Sequence, residues 1–288
     1  MIKGLGTALI TPFKADKSVD YEALARLLDT QLTGFVDYIV VLGTTGEAAT
    51  LTADEKREVR QFIVQYVNGR LPLVLGVGGN NTAAVCAELA AMREELKRDY
   101  SAILSVCPYY NKPNQEGLYQ HFCAIAEASP IPIILYNVPG RTGVNILPET
   151  VMRIYEAQPD KILGIKEASG NIEQIKHLID LSTEYRIQTA DADRPNLLVI
   201  SGDDGIACEV MEAGGAGLIS VASNAFPEDF WHIVHERDAA LQARYAETIR
   251  LLFIEGNPTG IKAFLAHKGI IQNYLRLPLV PASFTICE

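Results

Sequence analysis

The feature that most constrains this chain is a set of eight short apolar runs, each ending in a cluster of glycine, hydroxyl or charged residues. The runs are Gly4 to Ile10, Tyr38 to Leu42, Leu73 to Val77, Ala102 to Val106, Ile131 to Leu135, Ile162 to Ile165, Leu197 to Ile200 and Leu218 to Val221. Strands apolar along their whole length need cover on both faces, which is the situation of a parallel sheet wrapped by helices. The intervening segments have helical spacing and cap signals, among them Asp20 and the Thr52/Glu55 capping box. Strands alternating with helices predict an α/β fold, a (β/α)8 TIM barrel over residues 1–225 with a helical C-terminal extension over 226–288. A doubly wound sheet is the alternative, because periodicity does not reveal closure. The length, 288 residues, suits one barrel plus an extension.

Several function classes are disfavoured. A net charge of -10 with no basic run argues against nucleic-acid binding, and an anionic ligand would need a few local cations to hold it. The five cysteines are scattered without Cys-x-x-Cys spacing, so free thiols in a reducing cytoplasm are expected, and no zinc site. Met1 to Gly6 leads directly into a strand without a signal-peptide apolar stretch, and no run approaches the roughly 18 residues of a membrane span. Gly76-Val77-Gly78-Gly79 lacks the third glycine of a dinucleotide fingerprint. His232 and His235 read as a surface pair, and Asp203-Asp204 as a helix cap rather than a metal site. A metal-dependent aldolase would need a His/Glu ligand set after the strands, which the sequence does not offer; no cofactor is expected.

The polar clusters follow the strands, where active sites of parallel barrels are built. Each alone reads as turn or cap chemistry; five together point to one site. Lys166 ends the sixth run, before a helix for which Ser169 or Asn171 is the expected cap. Burial disfavours a lysine's cation and frees an amine that attacks carbonyls. Making and breaking an imine moves protons, and Tyr136, Thr44, Thr45 and Tyr110 supply hydroxyls for that. Arg141 presents a planar fork suited to a carboxylate, and the backbone N–H groups around Gly43-Thr44-Thr45 could hold a second.

Five ordered motifs resemble the dihydrodipicolinate synthase family: Gly43-Thr44-Thr45-Gly46-Glu47, Pro108 to Pro113, Tyr136 to Gly143, Gly164 to Gly170, and Ser201 to Asp204. That family belongs to the pyruvate-dependent class I aldolases and lyases, which include N-acetylneuraminate lyase. The resemblance covers nearly the whole chain. It implies condensation of pyruvate with L-aspartate 4-semialdehyde in lysine and diaminopimelate biosynthesis. It also implies that Lys166 is the Schiff-base lysine, Tyr136 the general acid/base, and Thr44 and Tyr110 the rest of the proton relay. Thr45, Ile219 and Gly202 would bind substrate, and Arg141 would orient the semialdehyde carboxylate. Tyr110 would serve a neighbouring subunit across a tight dimer interface, in a homotetramer of paired dimers.

A sugar-acid lyase shares the lysine and tyrosine; Arg141 and the Pro108 to Pro113 run favour the synthase. A catalytically dead barrel is disfavoured because Lys166, Tyr136, Thr45, Tyr110 and Arg141 are all present. In the family, lysine inhibits many members near Tyr109 and Asn80. Here Ala48, Ala53, Lys56 and Ala84 replace polar or acidic groups, and the expectation is weak or absent inhibition. The polar stretch Thr183 to Asn196 is expected to be a loop excursion away from the site.

Overall fold

The computed structural model describes residues 2–189, 196–284 and 286. Eight parallel strands close into a barrel in chain order: β1 (Gly4–Ala8), β2 (Tyr38–Val41), β3 (Leu73–Gly76), β4 (Ala102–Val106), β5 (Ile133–Asn137), β6 (Ile162–Glu167), β7 (Leu198–Ser201) and β8 (Gly217–Ser220). The chain divides into two compact units: residues 74–218, and residues 2–73 with 219–288. Among the described residues no helix is long and apolar enough to cross a membrane.

In residues 74–218, β4, β5, β6 and β7 pair successively. Helices Thr82–Ala91, Gln115–Ala128, Pro148–Ala157 and Ile172–Thr189 pack one against the next. The strand cores, Ile103, Ile133 to Leu135 and Ile165 among them, are fully buried, as the unbroken apolar runs require. The fifth strand starts two residues later than the apolar run suggests and reaches Asn137. Pro132 has no N–H for the ladder, and the register with β6 shifts at Ile133/Ile134. β6 likewise runs past Ile165, so Lys166 and Glu167 are strand residues paired with Tyr136 and Asn137. The helical segment after β3 breaks at Met92 (ψ 12°) into Thr82–Ala91 and Arg93–Asp99, the second of which buries Leu96. The helix after β6 continues to Thr189, so the first part of the expected loop is helical; residues 190–195 lie outside the described residues.

In the second unit β1 pairs with β2, and helix Tyr21–Gln31, capped by Asp20, packs on helix Ala53–Val67. The Thr52/Glu55 capping box forms as its spacing predicts. Helix Pro227–His235 packs on β1, and helix Ala246–Phe253 on helix Thr259–His267. His232 pairs with Glu236 and His235 with Asp37, so the two histidines serve separate contacts.

Candidate active site

The end of β6 places Lys166 beside Tyr136 of β5. Lys166 is 6% exposed, and its Nζ stands 4.4 Å from the centre of the Tyr136 ring. Parallel register sets this: the two residues are directly paired, so their side chains share a face of the sheet. Among the described residues, Lys166 forms no ion pair with a carboxylate. Gly202, just after β7, leaves room for the lysine stem. A Cβ there would lie 2.9 Å from Lys166 Cε and 2.6 Å from Ala168 Cβ, so even alanine would displace the amine's arm. Asn171 caps the following helix through Gln174 N, while Ser169 Oγ accepts from Asn171 N. Asp203 accepts from Gly205 N, the cap role its position suggested.

Arg141 is exposed on the short helix Pro139–Thr142. Tyr110 is 90% exposed and has left-handed backbone (φ 74°), a costly state for a tyrosine. The loop around it is nonetheless tied down. Tyr110 N donates to Thr142 O, Asn80 Nδ2 donates to Tyr109 O, and Asn111 Nδ2 donates to Asn80 O.

In the other unit, Thr44–Gly46 forms a single tight turn after β2, with Thr44 exposed and Thr45 buried; Ile219, in β8, is buried. Thr45 Oγ1 accepts from Asn257 Nδ2 at 2.8 Å, which leaves its hydroxyl proton for a ligand. Glu47 ends the turn with left-handed backbone (φ 50°) and is buried. Its carboxylate pairs with Lys262 and accepts from Arg276 N. Lys262 is 0% exposed and also donates to Tyr274 O. Burial pulls its pKa down to about 8, with Glu47 working the other way. Sequence reading missed Lys262, Glu47 and Asn257 as a group. One sign was available: Lys262 sits between Ile261 and Phe264-Leu265 in a stretch apolar on every side.

Arg276 extends this network, donating to Thr50 O and, at 2.8 Å, to Glu55 Oε2. Glu55 is drawn from the usual 4.5 to about 2, chiefly by the Arg276 hydrogen bond and then by the capping contact with Thr52. A carboxylate lowered on folding stabilises the fold above pH 4.5, and that stability drains away as the pH falls towards 2. E55Q is therefore expected to melt below the unaltered protein at pH 7, and the gap should close between pH 4.5 and 2. Thermal unfolding across that range checks this; a constant gap contradicts it.

Strand ends that carry a buried lysine against a tyrosine are suited to imine chemistry. The comparisons agree. Residues 1–286 match the Dihydrodipicolinate synthetase family. The chain belongs to that family. A 4-hydroxy-tetrahydrodipicolinate synthase of Parabacteroides distasonis is 48% identical over all of this chain and 94% of its own. One from Flavobacterium psychrophilum is also 48% identical, over 96% of this chain and 92% of its own. The crystal structure of the dihydrodipicolinate synthase of Thermotoga maritima superposes with a TM-score of 0.90 at 39% identity, covering 98% of this chain and 94% of that one. A dihydrodipicolinate synthase variant described as monomeric gives 0.89 at 40% identity, covering 98% and 92%. As a member of the dihydrodipicolinate synthetase family, the chain is a lyase of the class I aldolase type. It condenses pyruvate with L-aspartate 4-semialdehyde through a lysine Schiff base, giving 4-hydroxy-tetrahydrodipicolinate on the route to lysine and diaminopimelate.

Proposed function

We propose that Lys166 is the Schiff-base lysine and Tyr136 its proton donor and acceptor. The observation that carries this reading is the Lys166 amine beside the Tyr136 ring, fixed by adjacent positions in β5 and β6. The amine attacks the pyruvate ketone, the carbinolamine loses water as the tyrosine hydroxyl supplies a proton, and an iminium remains. Loss of a methyl proton gives an enamine, which attacks the semialdehyde's aldehyde carbon. The substrate's own amino group then displaces Lys166 and closes the ring.

Thr45, Ile219 and the space at Gly202 receive pyruvate, with backbone N–H groups of the Thr44–Gly46 turn on its carboxylate. Thr44 and Tyr110 complete the relay. Tyr110, exposed yet held in place by its loop, supports a role in a second copy's site, within a homotetramer of tight dimers in the cytoplasm. Arg141 grips the semialdehyde carboxylate.

R141A is expected to raise the KM for the semialdehyde by about 10- to 100-fold, the loss of a charge-assisted contact, and to leave the pyruvate KM unchanged. An unchanged semialdehyde KM removes Arg141 from the site. Pyruvate consumption with N-acetylmannosamine in place of the semialdehyde would move the chain's substrate to the sugar-acid branch.

A further inference from the structure

Behind the Lys166–Tyr136 pair lies a closed polar knot that the reaction itself does not use. Glu167 follows Lys166 on β6, so its side chain leaves the opposite face of the sheet. It is only 1% exposed. A carboxylate so buried is costly unless its oxygens are filled, and here they are. Oε1 accepts from Ser169 N at 2.7 Å. Oε2 accepts from Asn137 Nδ2 at 2.9 Å and from Gln174 Nε2 at 3.0 Å.

The partners are themselves interlocked. Asn137 Nδ2 also donates to Asn145 Oδ1, and Asn137 Oδ1 accepts from Ile146 N. Asn145 Nδ2 donates to Gln174 Oε1. The ring of Glu167, Asn137, Asn145 and Gln174 therefore ties together four segments. These are the end of β5, the end of β6, the loop following the Arg141 helix, and the first turn of helix Ile172–Thr189. Asn137 is next to Tyr136, Glu167 is next to Lys166, and the two side chains meet one register step beyond the Tyr136–Lys166 pair. The backbone adds a further tie, Gly202 N donating to Glu167 O at 2.7 Å.

We propose that Glu167 is a positioning residue, which through Asn137 sets the placement of Tyr136 against Lys166 and through Asn145 and Gln174 that of the turn carrying Arg141. The proposal rests on Lys166 and Tyr136 being the reacting pair. Proton transfers to and from a carbinolamine are sensitive to small displacements, and a 1 Å misplacement costs on the order of 100-fold in rate.

E167Q keeps the volume but turns an N–H onto one set of N–H donors. It is expected to lower kcat about 10- to 100-fold, with the borohydride trapping rate of pyruvate falling in parallel and the far-ultraviolet dichroism unchanged. V234A, a core truncation in helix Pro227–His235, supplies the comparison: a fall in Tm with wild-type kcat. A folded E167Q that traps pyruvate at the unaltered rate overturns the proposal and leaves the site reading standing. If E167Q does not fold, E167D keeps the charge with a shorter reach. A several-fold slower trapping rate in E167D supports the proposal, and an unaltered rate overturns it. Absence of a pyruvyl adduct at Lys166 in the unaltered protein overturns the site reading and the proposal together.

Discussion

Lys166→Met is expected to abolish both turnover and borohydride-dependent capture of pyruvate, whereas Lys262→Met keeps a captured adduct at Lys166. Among the described residues two lysines are buried, Lys166 and Lys262, and their surroundings differ. Lys262 has the depressed pKa, about 8, that a search by titration alone would select. It is also wholly enclosed, paired with Glu47 and bonded to Tyr274 O, with its ammonium 4.1 Å from the centre of the Phe13 ring. No ketone can approach it without breaking that shell. Lys166 keeps a little accessible surface and has a phenol beside it in place of a carboxylate. A covalent nucleophile has no substitute for its bond-forming step, so the expected loss in kcat/KM is on the order of 1,000-fold or more. Mass spectrometry of the reduced, digested protein reads the outcome. Pyruvyl mass on Lys262, or its persistence in K166M, contradicts the assignment.

K262M is also expected to destabilise the fold strongly. Removing one partner of a buried ion pair leaves the other charge buried and uncompensated, at a cost of about 3–5 kcal/mol. Glu47 is the group left behind. It retains the Arg276 N–H, but it loses its ion-pair partner. In a chain of this size the cost corresponds to a fall in Tm of about 5–8 °C. The double variant E47Q/K262M removes both charges while keeping an acceptor for Arg276 N. It should recover much of the loss, since neutral replacements of buried pairs are often tolerated. Thermal unfolding of the two single variants and the double variant tests this. Equal Tm values for K262M and the unaltered protein, or a double variant no better than the worse single, would show that the pair contributes nothing.

The alternation of buried strands and helices was legible because its cause is local, whereas closure of the barrel was not. Parallel strands covered on both faces must be apolar throughout, and eight such runs, each followed by a helix start, admit few arrangements. Thr52/Glu55 and Asp20 were legible for the same reason, since a cap is satisfied within a few residues of itself. Boundaries were less so. Pro132 delayed the start of β5, and backbone pairing carried β5 to Asn137 and β6 past the last apolar residue, because ladder bonds depend on the neighbouring strand and not on the hydrophobicity of the strand itself. In the helix after β6, a polar surface face hid the continuation to Thr189.

What the sequence alone determined was the order of the strands' polar ends and the chemical types gathered there: an amine, phenols, hydroxyls and a guanidinium. Only the tertiary structure decided that Lys262 is enclosed by a carboxylate and that Lys166 stands beside Tyr136. It alone showed that Glu167, one residue from Lys166, is turned away to join Asn137, Asn145 and Gln174. The reason is the reach of the forces. Periodicity and caps act over a few residues, whereas the Glu47–Lys262 pair and the Thr45–Asn257 bond join positions more than 200 residues apart, and a buried charge finds its partner only once the chain has closed around it.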